Sequence, residues 1–271
     1  MKMKTLRNFL VLALLFCTVL VTSAQGTKLY AGLKAGFGLP HLSAGSASTP
    51  LSEGYSSRLG FYSGIVTEFQ SEGRFGIRAE VNFSSQGGIR TGMQALPLPG
   101  QMQPLWQQLP NFGIKTTPYM YANIKSDAIL NYLEIPVMGK LTFSMSSRVN
   151  VYVQAGPYMG IRIHARNVTS GSSSIFVDKD GDLPVDAILI LAEQPTMGAV
   201  SFDNSENITS DIHRFNIGAQ GAVGFGLMIG SGKVFIEAGG NYGFIPIQID
   251  KANGTNNTGA GTLTFGYMFE I

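Results

Sequence analysis

Thiols, charge and long apolar runs are what this sequence has least of. Its single cysteine, Cys17, lies inside the apolar run from Phe9 to Val21. That run follows Lys2, Lys4 and Arg7 and ends at Thr22, Ser23 and Ala24, the arrangement of a cleavable secretory signal peptide over residues 1–24, with the cut expected after Ala24. Phe16 stands where a lipidation site needs a small residue, so Cys17 is read as part of the leader. No cysteine then remains, which excludes disulfides and thiolate chemistry. Charged residues make up 13% of the chain, against roughly 25% in soluble proteins. Taking the three leader cations from the 19 Lys and Arg leaves 16 against 17 Asp and Glu, so no basic surplus is available for nucleic acid. The Phe9 to Val21 run is shorter than the roughly 20 residues of a transmembrane helix. No segment has convincing helical periodicity. If the chain sits in a membrane, strands place it there.

What is present is alternation. From Phe75, the residues Phe75, Ile77, Ala79, Val81 and Phe83 interleave with Gly76, Arg78, Glu80, Asn82 and Ser84, one face oily and one polar. Eight such segments are read as strands, at about 28–39, 58–70, 75–87, 131–143, 149–164, 213–229, 233–244 and 262–271. Most reach the roughly 9 to 11 residues of a tilted transmembrane strand. Their connections alternate between tight turns and long loops at about 40–57, 88–130, 165–212 and 245–261, the asymmetry of short periplasmic turns and long outer loops. The expected fold is all-β, a closed eight-stranded antiparallel up-and-down transmembrane barrel over residues 25–271. Aromatics gather near the strand ends, with Phe69, Phe75, Phe143 and Phe269 toward the turns and Phe37, Phe83, Phe215 and Phe244 toward the loops, as interfacial girdles do.

Alternation alone does not say which face points inward, because a soluble barrel shows the same period with its apolar face inside. The polar face decides it. Glycines such as Gly64, Gly156, Gly224 and Gly239 crowd that face beside a few ionisable residues, which suits a narrow lumen. Lys34, Glu68, Arg78, Glu80, Glu134, Lys140, Arg162 and Glu237 are expected to pair there in a charge network, since an unpaired charge in a confined site is costly. Pro136 and Pro157 fall within strands of a closed sheet, and bulges or local irregularity are expected at both.

The segments Asn131 to Val137 (NYLEIPV), Gln154 to Tyr158 (QAGPY) and Gly32 to Gly36 (GLKAG) resemble the outer membrane protein β-barrel domain common in Bacteroidetes, in proteins often described as porin-family or PorT-like. The resemblance covers nearly the whole chain after the leader. It implies insertion by the barrel-assembly machinery, and Phe265, Tyr267 and Phe269 resemble the carboxy-terminal insertion signal of such proteins, with Ile271 where a terminal Phe is usual. It supplies no catalytic residues. The PorT-like likeness implies a part in secretion on resemblance alone.

Other candidate chemistry is thin. Asp178, Asp180 and Asp182 imitate a calcium loop, but Leu183 stands where its glycine belongs and Leu189 where its last glutamate belongs, so the segment is read as a solvated acidic loop. His164 and His213 could meet at the outer rim near Asp211, yet two histidines fall short of a stable metal site. Nothing identifies a nucleophile, so the chain is read as no enzyme, with no cofactor and no metal. The proline-rich stretch from Ala95 to Phe112, with Trp106, is apolar for a water-facing loop and is expected either to fold into the barrel mouth, to dock a partner, or to stay mobile. Three functional readings follow. The first is a side-chain-filled barrel acting as a structural or interaction protein, with outer-membrane lipid around it and a protein partner at its outer loops. The second is a narrow porin-like channel, and the third a soluble periplasmic carrier of an apolar ligand.

Overall fold

Alternating side chains and glycine-punctuated turns produce a closed ring of eight strands. The computed structural model describes residues 27–45, 49–191 and 193–271, so the expected leader lies outside the described residues. The strands are β1 (Lys28–Ala44), β2 (Gly60–Gln70), β3 (Phe75–Pro97), β4 (Tyr119–Ser144), β5 (Val149–Ser170), β6 (Phe215–Ile229), β7 (Gly232–Gly243) and β8 (Asn256–Glu270). Each pairs antiparallel with its sequence neighbours, and β8 returns to β1 from Tyr30 opposite Glu270 to Ala44 opposite Asn256. Closure leaves the ring no free edge, the condition a sheet must meet in lipid.

The apolar face is outside. Leu33, Phe37, Ile65, Phe75, Val137, Ile217, Phe225 and Phe265 are exposed on the outer wall, while Lys34, Glu68, Arg78 and Glu237 at the alternate positions are buried within the ring. A soluble carrier requires the opposite arrangement, so that reading is corrected. The glycines answer the charges. Lys34 lies across from Gly64 and Gly266, Lys140 across from Gly76, and Glu237 across from Gly224. A side chain on Gly224 would overlap the ring of Tyr152, so the narrow lumen holds its long side chains only because their neighbours have none.

Both prolines interrupt a ladder. The β3–β4 pairing skips Glu80 and Val81 opposite Pro136 and Ile135, and the β4–β5 pairing skips Val137 and Met138 opposite Pro157 and Gly156, the register being kept in each case. A register shift does occur further along β4, between Asn131 and Tyr132.

Several strands outrun their expected lengths. β3 and β4 stay paired as far as Pro97 opposite Tyr119, and β5 continues to Ser170, where the short strand Asn204–Asn207 joins it. Beyond the lipid an outer face no longer has to be apolar, so Asn123, Lys125 and Asp127 replace the oily residues and the alternation loses contrast. The fold is all-β as expected, and the loops add two short α-helices that periodicity does not reveal. Helix α1 (Gln103–Gln108) starts with a proline in its first turn, and α2 (Val185–Leu191) carries Asp186 there. Neither spans two full turns, too little for a 3.6-residue period to register.

Candidate functional site

The lumen is filled in three tiers. The first, toward the short turns, is ionic. Arg78 and Glu80, two residues apart on β3, share the inward face, and Glu68 sits across from Arg78 on β2. Arg78 Nε lies 2.9 Å from Glu80, and its Nη1 meets Glu237 and stands 3.7 Å from Glu68. Lys34 reaches Glu80 at 2.6 Å and Glu237 at 3.7 Å. Lys140 is 2.7 Å from Glu68, whose other oxygen takes Lys233. The Tyr152 hydroxyl donates to Glu237 at 2.6 Å. Aromatic faces carry the cations: Arg78 over Phe235 at 4.7 Å, Lys140 over Tyr152 at 3.8 Å, and Lys233 over Tyr30 at 4.4 Å. Arg78 and Glu68 are 0% exposed, so these charges are sustained by one another.

Above it lies a belt of neutral polar groups around Glu134. Gln86 Nε2 donates to one carboxylate oxygen at 3.0 Å and Asn241 Nδ2 to the other at 3.0 Å. Asn82 donates to both Tyr62 and Glu80 at 2.8 Å and so joins the two tiers. The third tier is apolar, formed by Leu42, Ala128, Leu130, Tyr132, Ala165, Ile212 and Ile247.

Of the eight expected network residues, Lys34, Glu68, Arg78, Glu80, Lys140 and Glu237 come together. Two do not. Glu134 points into the lumen but its partners are amides, with no cation in salt-bridge range among the described residues. Arg162 stands at the rim, its Nε and Nη2 donating to the carbonyls of His213 and Ile212 at 3.3 Å each. It lies opposite the lumen-lining Tyr132, the last pair before the register shift, above the ionic tier and out of reach of its carboxylates. Lys233 joins the network unforeseen, because it borders the turn between β6 and β7. Its signal was available: Lys233, Phe235 and Glu237 share one face.

Beyond the lumen the second and third long loops fold together into a crown. Trp106, Leu109, Met120, Ile175, Val177, Val185 and Ile188 form its core, with Leu98, Leu105 and Phe202 packed around them. Trp106 Nε1 donates to the Thr117 carbonyl at 3.0 Å. The Ala95 to Phe112 stretch therefore packs against the third loop instead of entering the barrel mouth. An open cleft of about 590 Å³ lies beside it, lined by Leu51, Leu98, Trp106, Pro110 and Tyr119. Asp178 holds its turn by accepting the backbone N–H groups of Asp180 and Asp182 at 3.0 Å and of Leu183 at 2.7 Å. Slight burial opposes ionisation, but these donors outweigh it and hold the Asp178 carboxyl below the usual carboxylate range. His213 Nδ1 lies 3.0 Å from the Pro246 carbonyl, and among the described residues no group of His, Cys, Asp and Glu could hold a metal ion.

A closed eight-stranded ring with an oily exterior and a charged, filled interior defines an outer-membrane β-barrel. Residues 23–248 match the model of the outer membrane protein beta-barrel domain, and the chain belongs to that family, whose place is the bacterial outer membrane. Among solved structures it is similar to Ail, the attachment invasion locus protein of Yersinia pestis, at 13% identity over 89% of this chain and 99% of that one, with a TM-score of 0.36. Neisserial surface protein A is 12% identical over 91% of this chain and 100% of its own, with a TM-score of 0.39. A major outer membrane protein of Thermus thermophilus is 10% identical over 90% of this chain and 99% of its own, with a TM-score of 0.40. No curated protein matches the sequence.

Proposed function

We propose that this protein is a closed outer-membrane anchor that displays a folded crown for contact with a partner, and that it neither conducts nor catalyses. The observation that carries the reading is the burial of Glu68, Arg78 and Lys140 in a single ion-paired cluster across the lumen. Eight strands enclose just enough space for side chains to fill, and the apolar tier of Leu42, Leu130 and Ile212 lies above the ionic one. The crown supports the interaction half of the reading, since it has its own core yet leaves Phe112, Ile190 and Leu191 exposed, the last at 85%. Resemblance of the NYLEIPV and QAGPY segments supports a place among PorT-like proteins of Bacteroidetes, with cleavage after Ala24, insertion by the barrel-assembly machinery, the short turns in the periplasm and the crown outside.

Ion conductance of the refolded protein in a planar lipid bilayer tests it, with heat-dependent gel mobility reporting that the barrel has folded. A folded, inserted barrel that passes no current is expected. Steady current steps that scale with salt would replace this reading with the narrow channel.

A further inference from the structure

The outer wall changes character at the loop end of β5 and β6. Ile161 on β5 lies opposite Phe215 on β6, and Ile163 and Ile217 are exposed with them as part of the apolar exterior. Immediately beyond, the wall turns basic. The register shift in β4–β5 sets His164 opposite Asn131 and Arg166 opposite Ile129, an outward position. On the neighbouring strand His213 and Arg214 precede Phe215, all three exposed. The Arg162 backbone N–H donates to the Arg214 carbonyl at 2.8 Å, so these two residues are side by side. Arg162 itself lies opposite the lumen-lining Tyr132 with its guanidinium fixed by two backbone carbonyls, while the guanidinium of the exposed Arg214 lies 5.7 Å from the ring of the outward Phe215. None of Arg162, Arg166 and Arg214 has a carboxylate partner among the described residues, whereas nearby Arg58 is paired with Asp127 at 3.1 Å. The acidic groups closest in sequence are Asp211, which accepts from Ser210, and Glu206 on the strand beside Asn167.

We propose that this patch of His164, Arg166, His213 and Arg214 binds the phosphate-bearing headgroup of a lipid in the outer leaflet. The site lies where headgroups must lie, bordering side chains that face acyl tails. Guanidinium groups match phosphate oxygens in two-pronged geometry, and a basic residue at a membrane surface contributes about fivefold in affinity for anionic lipid. The proposal goes beyond the closed-anchor reading and is independent of whether the lumen conducts.

The full refolded chain in a neutral maltoside detergent is titrated with lipopolysaccharide, with the same lipopolysaccharide after dephosphorylation, and with phosphatidylglycerol. Phosphorylated lipopolysaccharide is expected to bind, and Arg166→Gln/Arg214→Gln to weaken it by about 25-fold, two residues at about fivefold each. Lys28→Gln, at the opposite end of the barrel, is expected to change nothing. Loss confined to lipopolysaccharide identifies its lipid as the ligand, and equal loss with phosphatidylglycerol identifies a general headgroup phosphate site. Affinity unchanged by dephosphorylation or by the double substitution overturns the proposal, as does an equal loss in Lys28→Gln. The dephosphorylation arm needs no variant, so it holds even if the double variant fails to fold.

Discussion

Glu68 and Glu134 are both buried glutamates in one lumen, yet they depend on opposite kinds of neighbour. Glu68 is held by Lys140, Lys233 and Arg78; Arg78 keeps Glu80 and Glu237, but the two lysines have no other carboxylate in salt-bridge range among the described residues and would lose their counter-ion together. Glu134 is held by the amides of Gln86 and Asn241, which can turn to satisfy a neutral side chain as well. Breaking a buried ion pair from one side costs about 3–5 kcal/mol, whereas exchanging one neutral-donor hydrogen bond for another costs about 1 kcal/mol or less. Glu68→Gln is therefore expected to lower the urea midpoint of the folded, heat-modifiable band well below that of Glu134→Gln. Equal midpoints for the two variants would mean that the ionic tier contributes nothing to holding the barrel closed. The sequence places both glutamates on the inward face but does not separate them, because parity fixes a face and not the height at which side chains from different strands meet. Lys233 shows the same gap: Glu68 lies far from it in sequence, and only ring closure brings them together.

Strands read well where lipid enforces contrast and poorly where it does not. Ile65 sits mid-strand on β2, opposite Leu33 and Val81, and is exposed on the outer wall. Ile65→Arg is expected to destabilise the folded barrel in phospholipid bilayers by about 2–4 kcal/mol, the range for a cation near the midplane. Asn123→Arg, on the β4 extension, should leave the same unfolding titration within experimental scatter. Comparable losses at the two sites would move the membrane boundary to include the extension. That difference explains why the far ends of β3 and β4 escaped sequence reading: Lys125 and Asp127 follow the same parity as Ile135 and Val137 but face water. The third loop also has a local device invisible to periodicity, the Asp178 turn. Its carboxyl is held below the ordinary value, so the turn's stabilisation is complete above that ordinary value, near pH 4, and is lost as pH falls through the lowered folded value. Pepsin cleavage near Phe176 to Leu183 should accelerate as pH drops from about 4.5 toward 2.5, more steeply than in Asp178→Asn. Identical pH profiles for the two chains would show that the carboxylate does not hold this turn.

At the scale of the molecule the barrel and the crown are two cores stacked end to end. The ionic tier and the crown core share no residue. A separate small cluster of Leu51, Ala95 and Tyr121 packs against Phe176 of the third loop, to which Tyr121 is also bridged by backbone hydrogen bonds. The ring is closed by antiparallel ladders between all eight neighbouring strand pairs and surrounded by lipid, whereas the crown is assembled from loops and two helices of 6 and 7 residues. Short elements with few backbone ladders belong to the low-stability end of a fold, so the crown should open while the ring stays shut. The only tryptophan of the chain makes the two separable. Trp106 is buried in the crown core, so its fluorescence reports the crown alone, while heat-dependent mobility reports the ring. In urea the Trp106 emission is expected to shift red at a lower concentration than that which abolishes the folded band, and lipids brominated on their acyl chains should leave it unquenched. Coincident transitions would make crown and ring one cooperative unit, and strong quenching would place Trp106 in the bilayer. Either result would remove the crown as a free-standing platform. Trp106→Ala supplies the complement: it should free the second loop to proteases, through a cavity costing about 3–5 kcal/mol in the crown core, and leave the heat-modifiable band of the barrel in place.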